Sequence, residues 1–260
     1  SWTSPIIIGL AVVGALLLAA FVAIERIARE PILPLTLFRN SVFNIAGGVG
    51  FVIGFAMFGA ITFLPVFLQL VDGVSATNSG LSLLPLMGGL LAASITAGQV
   101  ISRTGRYKIF PVLGTALATI ALFCFTTIDA STPRPLLSLY MVLLGAGLGC
   151  VMQVLIIAVQ NAVQHRDLGV ATSSATFLRS IGASFGVAIF GAIFSNQLAS
   201  NLRRDLPPAA LQSGAINPAS LQGNPAALQH LPPAIHSGLI EAVAQSLHVV
   251  FLAALPVLFL

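Results

Sequence analysis

Apolar residues run almost unbroken through seven stretches of this chain, 5–24, 43–64, 80–101, 109–128, 136–160, 177–198 and 239–260, and polar residues collect between them. A helix rising about 1.5 Å per residue needs roughly 20 mostly apolar residues to cross a hydrocarbon layer about 30 Å thick. Each stretch is near that length. The 11 basic and seven acidic side chains avoid them, and only Arg179 and Glu241 fall inside, each within a turn of a stretch end. A charge at mid-bilayer costs about 2.5–3.5 kcal/mol on insertion scales, so this spacing is what lipid imposes. The pattern predicts an all-α, polytopic transmembrane bundle.

The loops between the stretches set an orientation. Arg26, Arg29, Arg39, Arg103, Arg106, Lys108, Arg166 and Arg179 fall at alternate junctions, against only Arg134, Arg203 and Arg204 at the others. Basic residues concentrate on the cytoplasmic side of a membrane protein. Residue 1 is therefore expected outside, the loops at 25–42, 102–108 and 161–176 inside, and the segment 199–238 outside. That last segment holds six prolines and a near-repeat, Asn217-Pro-Ala-Ser-Leu-Gln and Asn224-Pro-Ala-Ala-Leu-Gln. Its composition reads as a mobile Pro/Ala/Gln-rich loop, with short Asn-capped turns as the other reading.

Composition narrows the class further. Hydrophobic residues make up 57% of the chain and charged residues 7%, too few to cover a soluble surface. The net charge of +4 follows the loops, so nucleic acid is not an expected partner; membrane lipid is. Cys124 and Cys150 lie at different depths and are expected to stay unpaired, as small buried residues. The first stretch lacks a basic leader and is closed by Glu25-Arg26, so it reads as a span rather than a signal peptide. The last stretch runs to the final residue, which suggests a piece of a longer protein.

One span followed by six suggests two units. Residues 1–42 would be a span plus cytoplasmic linker, and 43–260 a six-helix bundle of two three-helix repeats in inverted topology, as many secondary transporters are built.

Several motifs carry bland readings beside sharper ones. Gly145-x-Gly147-x-Gly149 lies inside an apolar run, where a phosphate loop has neither its strand nor its helix N-terminus; a thin helix face for packing is the better account. His165-Arg166-Asp167-Leu168 has the form of a kinase catalytic loop without any of its companions. No HExxH metal helix and no serine elbow occur, so no enzyme, cofactor or metal is expected. Glu241, Gln245 and His248 recur at i, i+4 and i+7 on one helical face, with His248 expected roughly a dozen Å deep. They read as a cavity lining, or as hydrogen-bonded packing. Gln153 and Gln160 form a second polar set, for a cavity or for interhelical bonds. Phe55, Phe58, Phe63 and Phe67 line a Gly-rich span and could hold a cation, though packing is the plainer role.

The loop Gly98-Gln-Val-Ile-Ser-Arg103-Thr-Gly105-Arg106-Tyr-Lys108 reads physically as a tight turn with membrane-edge anchors. It also resembles the second-half copy of the major facilitator loop signature, G-x-L-a-D-r-x-G-R-r: Gly98, Arg103, Gly105 and Arg106 match and Lys108 supplies the trailing base. Ser102 replaces the acid. Further stretches resemble the fourteen-span EmrB/QacA-type drug:proton antiporter branch. They are Glu25-Arg26 through Glu30-Pro31-Ile-Leu-Pro34-Leu-Thr-Leu-Phe38-Arg39-Asn40, Phe63-Leu-Pro65-Val-Phe-Leu-Gln69, Gly80-Leu-Ser-Leu-Leu-Pro85, Gly145-Ala-Gly147-Leu-Gly149 and Phe177-Leu-Arg179-Ser-Ile-Gly182-Ala-Ser-Phe-Gly186. The resemblance implies that 43–260 is the C-terminal half of a proton-coupled multidrug efflux protein of a bacterial inner membrane. Its partners would be an absent N-terminal half carrying the coupling carboxylate, a small lipophilic or cationic substrate, and a proton. Arg179 and Glu241 become candidates for gating. The alternative is a non-transporting or degenerate membrane subunit or scaffold.

Overall fold

The computed structural model describes residues 5–27, 35–70, 73–128, 132–205 and 233–259. Among these, seven helices are long and apolar enough to cross a membrane. The isolated first one, α1 (Pro5–Ile27), is exposed along nearly all its length and packs only weakly on the rest.

The bundle begins with α2 (Ser41–Ile53), a π turn at Gly54–Phe58, and α3 (Gly59–Leu70), which together make one continuous first helix. Asn40 starts it, its Oδ1 accepting from the Val42 and Phe43 amides. The helix runs on past the predicted end at 64, because Pro65 sits inside it instead of ending it. A short α4 (Ala76–Leu81) follows, tied to α3 by Gln69 Nε2 donating to Ser79 Oγ at 2.9 Å. The second long helix, α5 (Leu84–Thr104), starts later than the predicted 80, where Pro85 occupies its first turn. Then come α6 (Ile109–Thr126), α7 (Arg134–Asn161), α8 (Leu168–Asp205) and α9 (Pro233–Phe259).

The largest departure from the sequence reading is α8. It begins nine residues before the predicted 177, and the Ser173 and Ser174 hydroxyls in the added turns are satisfied within the helix by the Val170 carbonyl. It also continues through Asp205, and α9 begins at Pro233, so the segment between them is shorter than the predicted 199–238; the Asn-Pro repeats in it lie outside the described residues.

Packing between the long helices is reciprocal. The first pairs with the fifth (α2 and α3 with α8), the second with the fourth (α5 with α7), and the third with the sixth (α6 with α9). Exchanging helices one, two and three with four, five and six leaves this set unchanged, as a two-fold between inverted three-helix units requires. The match is not complete: the extensive α6–α7 contact answers to a smaller one between the first helix and α9, and the α7–α8 and α8–α9 contacts have no counterpart of similar extent.

Glycine makes the closest pairings possible. A Cβ at Gly145 would overlap the Leu86 carbonyl oxygen, and one at Gly149 the Leu90 carbonyl, whereas Gly147 on the opposite face meets Gly114 and Ala118 of α6. So α7 is thin on both sides and lies sandwiched between α5 and α6. Between α2 and α8, Gly182 meets the Phe51 carbonyl in the same way. Such backbone approach is how helices associate in lipid, where burial of apolar area gives no net drive.

Candidate functional site

The bundle has a basic end and an opposite end. At the basic end Asn40 Nδ2 donates to the Ala162 carbonyl at 2.7 Å, joining the start of α2 to the end of α7. The signature loop is there too. Gly105 closes α5 in the left-handed region at φ 68°, its amide donating to the Ile101 carbonyl at 2.8 Å. Thr104 Oγ1 bonds the Val100 carbonyl and accepts from the Arg106 amide. Ser102, standing where the signature has an acid, donates to Gln99 of its own helix. Arg103, Arg106 and Lys108 are exposed and make no ion pair among the described residues. Gly98 serves the helix packing instead, since the Gln153 side chain lies against it across the α5–α7 contact.

The polar residues of the two candidate cavities do not converge. Gln153 is half-buried inside the bundle, whereas Gln160 is exposed in the last turn of α7, at the basic end. Gln245 and His248 lie at the opposite end. The hydropathy pattern puts Arg179 at a span boundary. In the structure it lies three turns into α8, about 16 Å from the helix start, because α8 begins at Leu168. Its side chain is half-buried beside Gly50, Leu155 and Val159, and its Cγ lies against Gly54, where the π turn begins. Among the described residues its guanidinium has neither a hydrogen bond nor an ion pair; Thr172 and Thr176 are its nearest polar company in that crevice.

The opposite end holds a cavity of about 310 Å³ between α8 and α9. Glu241, Gln245 and His248 line it together, as their spacing predicts, with Ala244, Val249 and Ile128 as apolar walls. Gln245 Nε2 donates to Glu241 Oε1 at 3.0 Å. His248 Nδ1 meets the Thr126 carbonyl at 2.5 Å; a carbonyl only accepts, so Nδ1 carries the proton. This ring caps one of the last carbonyls of α6, which no residue of that helix can satisfy. His248 is therefore level with the end of α6, shallower than a span starting at 239 predicts.

Two further residues complete the cavity, Gln197 and Asn201 of α8. Asn201 Nδ2 donates to Ser246 Oγ at 3.1 Å and to the Ala242 carbonyl at 3.4 Å. Their i, i+4 spacing is the same signal that marks α9, but a span predicted to end at 198 hides it. The phenylalanines of the first helix form no cage: Phe55 lies 5.3 Å from Phe190 and Phe63 5.3 Å from Phe194, Phe67 is buried, and Phe58 is exposed. Both cysteines are free, and among the described residues no three His, Cys, Asp or Glu side chains could share a metal ion.

Residues 1–187 match the Major Facilitator Superfamily. The chain is 48% identical over 257 residues to an uncharacterized MFS-type transporter of Mycobacterium tuberculosis, covering 99% of this chain and 36% of that protein. It is 34% identical over 278 residues to multidrug transporter protein MdtP of Bacillus subtilis, covering 98% and 51%. It is 35% identical over 228 residues to a tetracycline resistance determinant of Streptomyces rimosus, covering 86% and 65%. The chain thus spans between 36% and 65% of the length of these relatives.

Proposed function

The chain belongs to the Major Facilitator Superfamily, and from that premise we propose that it forms the C-terminal portion of a secondary active transporter. In this reading 43–260 is the second six-helix half of a fourteen-span EmrB/QacA-type protein, and α1 is the second of the two spans between the halves. Small lipophilic or cationic compounds are exported by alternating access between this half and an N-terminal half, with inward proton flow as the drive. The basic end faces the cytoplasm of a bacterium, in its inner membrane, and residue 1 faces outward.

The observation that carries this reading is the reciprocal helix pairing, since two inverted three-helix units make one rocking half. The names of the multidrug and tetracycline-resistance relatives support the substrate class. Within the described bundle Glu241 is the acid nearest to a cavity, and it lies at the opposite end, so the coupling carboxylate is assigned to the N-terminal half.

The test restores an N-terminal half and measures accumulation of fluorescent drugs in cells, with Arg106→Ala beside the intact protein. Accumulation should fall only when both halves are present, less so with Arg106→Ala, and a protonophore should abolish the effect. An intact protein that changes nothing across a broad panel refutes export.

A further inference from the structure

The polar side chains around the opposite-end cavity keep several acceptors free, beside the Gln197 amide, which can present either its oxygen or its nitrogen. Asn201 directs its Nδ2 at the Ala242 carbonyl, which fixes the amide orientation and leaves Oδ1. Gln245 gives one Nε2 hydrogen to Glu241 and keeps Oε1 as an acceptor. His248 donates through Nδ1 to the Thr126 carbonyl, so Nε2 is the ring nitrogen left out of that bond. Glu241 keeps its second oxygen, and no cation pairs with it among the described residues. Around about 310 Å³ there remain the free oxygens of Asn201, Gln245 and Glu241 with one negative charge, beside spare amide N–H groups on Gln197 and Gln245.

That set selects a compact cation with several N–H donors. A primary ammonium has three; a quaternary ammonium has none. The location selects among sources. The 18 residues of α6 span roughly 27 Å, from beside Lys108 at the basic end to Thr126. The thickness of the apolar layer is thereby used up, and the carbonyl that His248 caps lies at its far edge. Lipid headgroups occupy that level. We propose that this cavity binds a primary ammonium, with the ethanolamine headgroup of a membrane lipid as its occupant. Glu241 supplies the counter-charge, Gln245 and Asn201 accept N–H bonds, and Ala244 and Val249 border the tether. The proposal rests on the chain's spanning a membrane and not on export, so either can fail alone.

The 260-residue chain is reconstituted with equal phosphatidylethanolamine and phosphatidylcholine, washed in detergent, and its retained lipid quantified by mass spectrometry. Phosphatidylethanolamine should be enriched about tenfold, with the enrichment falling stepwise through the N-methyl and N,N-dimethyl headgroups as donors are lost. Glu241→Gln should remove most of it, as a charge-assisted bond becomes neutral. The methylation series uses the unaltered chain, so it stands even where the variant folds poorly. A second arm adds ethylammonium or tetramethylammonium chloride to the chain in phosphatidylcholine nanodiscs and follows the melting temperature. Stabilisation by ethylammonium alone, without lipid enrichment, keeps the ammonium site and makes a free amine its ligand. Equal retention of both lipids with no ethylammonium effect overturns the proposal, as does full enrichment in Glu241→Gln.

Discussion

Replacing Gly145 by Ala tests whether backbone contact holds α7 between its neighbours. The new Cβ would overlap the Leu86 carbonyl oxygen and lie 2.9 Å from both the Leu86 carbonyl carbon and the Leu90 nitrogen. Carbon contacts are comfortable at about 3.5–4.0 Å, and every obstacle here is backbone, so α5 and α7 must separate by roughly an ångström. The separation weakens the Gly149–Leu90 approach and the bond from Ser94 Oγ to the Gly149 carbonyl, now 3.2 Å. Overpacking of this kind costs about 1–3 kcal/mol and the hydrogen bond about 1, against a gain of about 0.5–1 from the better helix former. A methyl group added at Gly88 of the same α5 would have nothing within 4 Å, so Gly88→Ala should show only the gain. The two variants should therefore differ by about 2–4 kcal/mol, or roughly 5–15 °C for a chain of this size. Melting followed by loss of the monodisperse size-exclusion peak in detergent reads that gap. Equal melting temperatures for Gly145→Ala and Gly88→Ala would refute the argument.

Other substitutions probe the basic end and the core. Asn40→Ala removes an N-cap and the bond to Ala162, a loss of about 2 kcal/mol, whereas Asn40→Asp should keep the cap and lose about half; an Asp variant as stable as the unaltered chain would show that the link to α7 contributes nothing. Gly105→Ala forces a side chain into φ 68° and should lower stability by about 1 kcal/mol, with Asn milder than Ala; a neutral Ala would contradict the left-handed cap. Arg179→Met should leave the 260-residue chain as stable as before or more so, because an unpaired, half-buried cation is being removed. The same change should impair export in a protein with both halves. A drop of several degrees in the chain alone would mean that Arg179 has a partner within it.

The class of the protein was legible in its hydropathy because lipid penalises every misplaced charge, so a one-dimensional pattern suffices to locate the spans. The grouping of Glu241, Gln245 and His248 on one face was legible for the same kind of reason, since helical periodicity is local. The glycine run 145–149 could be read as a packing face, but its division between α5 on one side and α6 on the other could not. Nor could the depth of Arg179, which depends on α8 starting at Leu168 and not at 177. The partnership of His248 with Thr126, and of Asn201 with Ser246, joins residues 122 and 45 positions apart. Those meetings follow from how far each helix is shifted along its neighbour. That shift is set where the helices pack, as where the Phe125 ring of α6 meets Phe251 of α9, so the residues were written in the sequence and their company was decided by the packing.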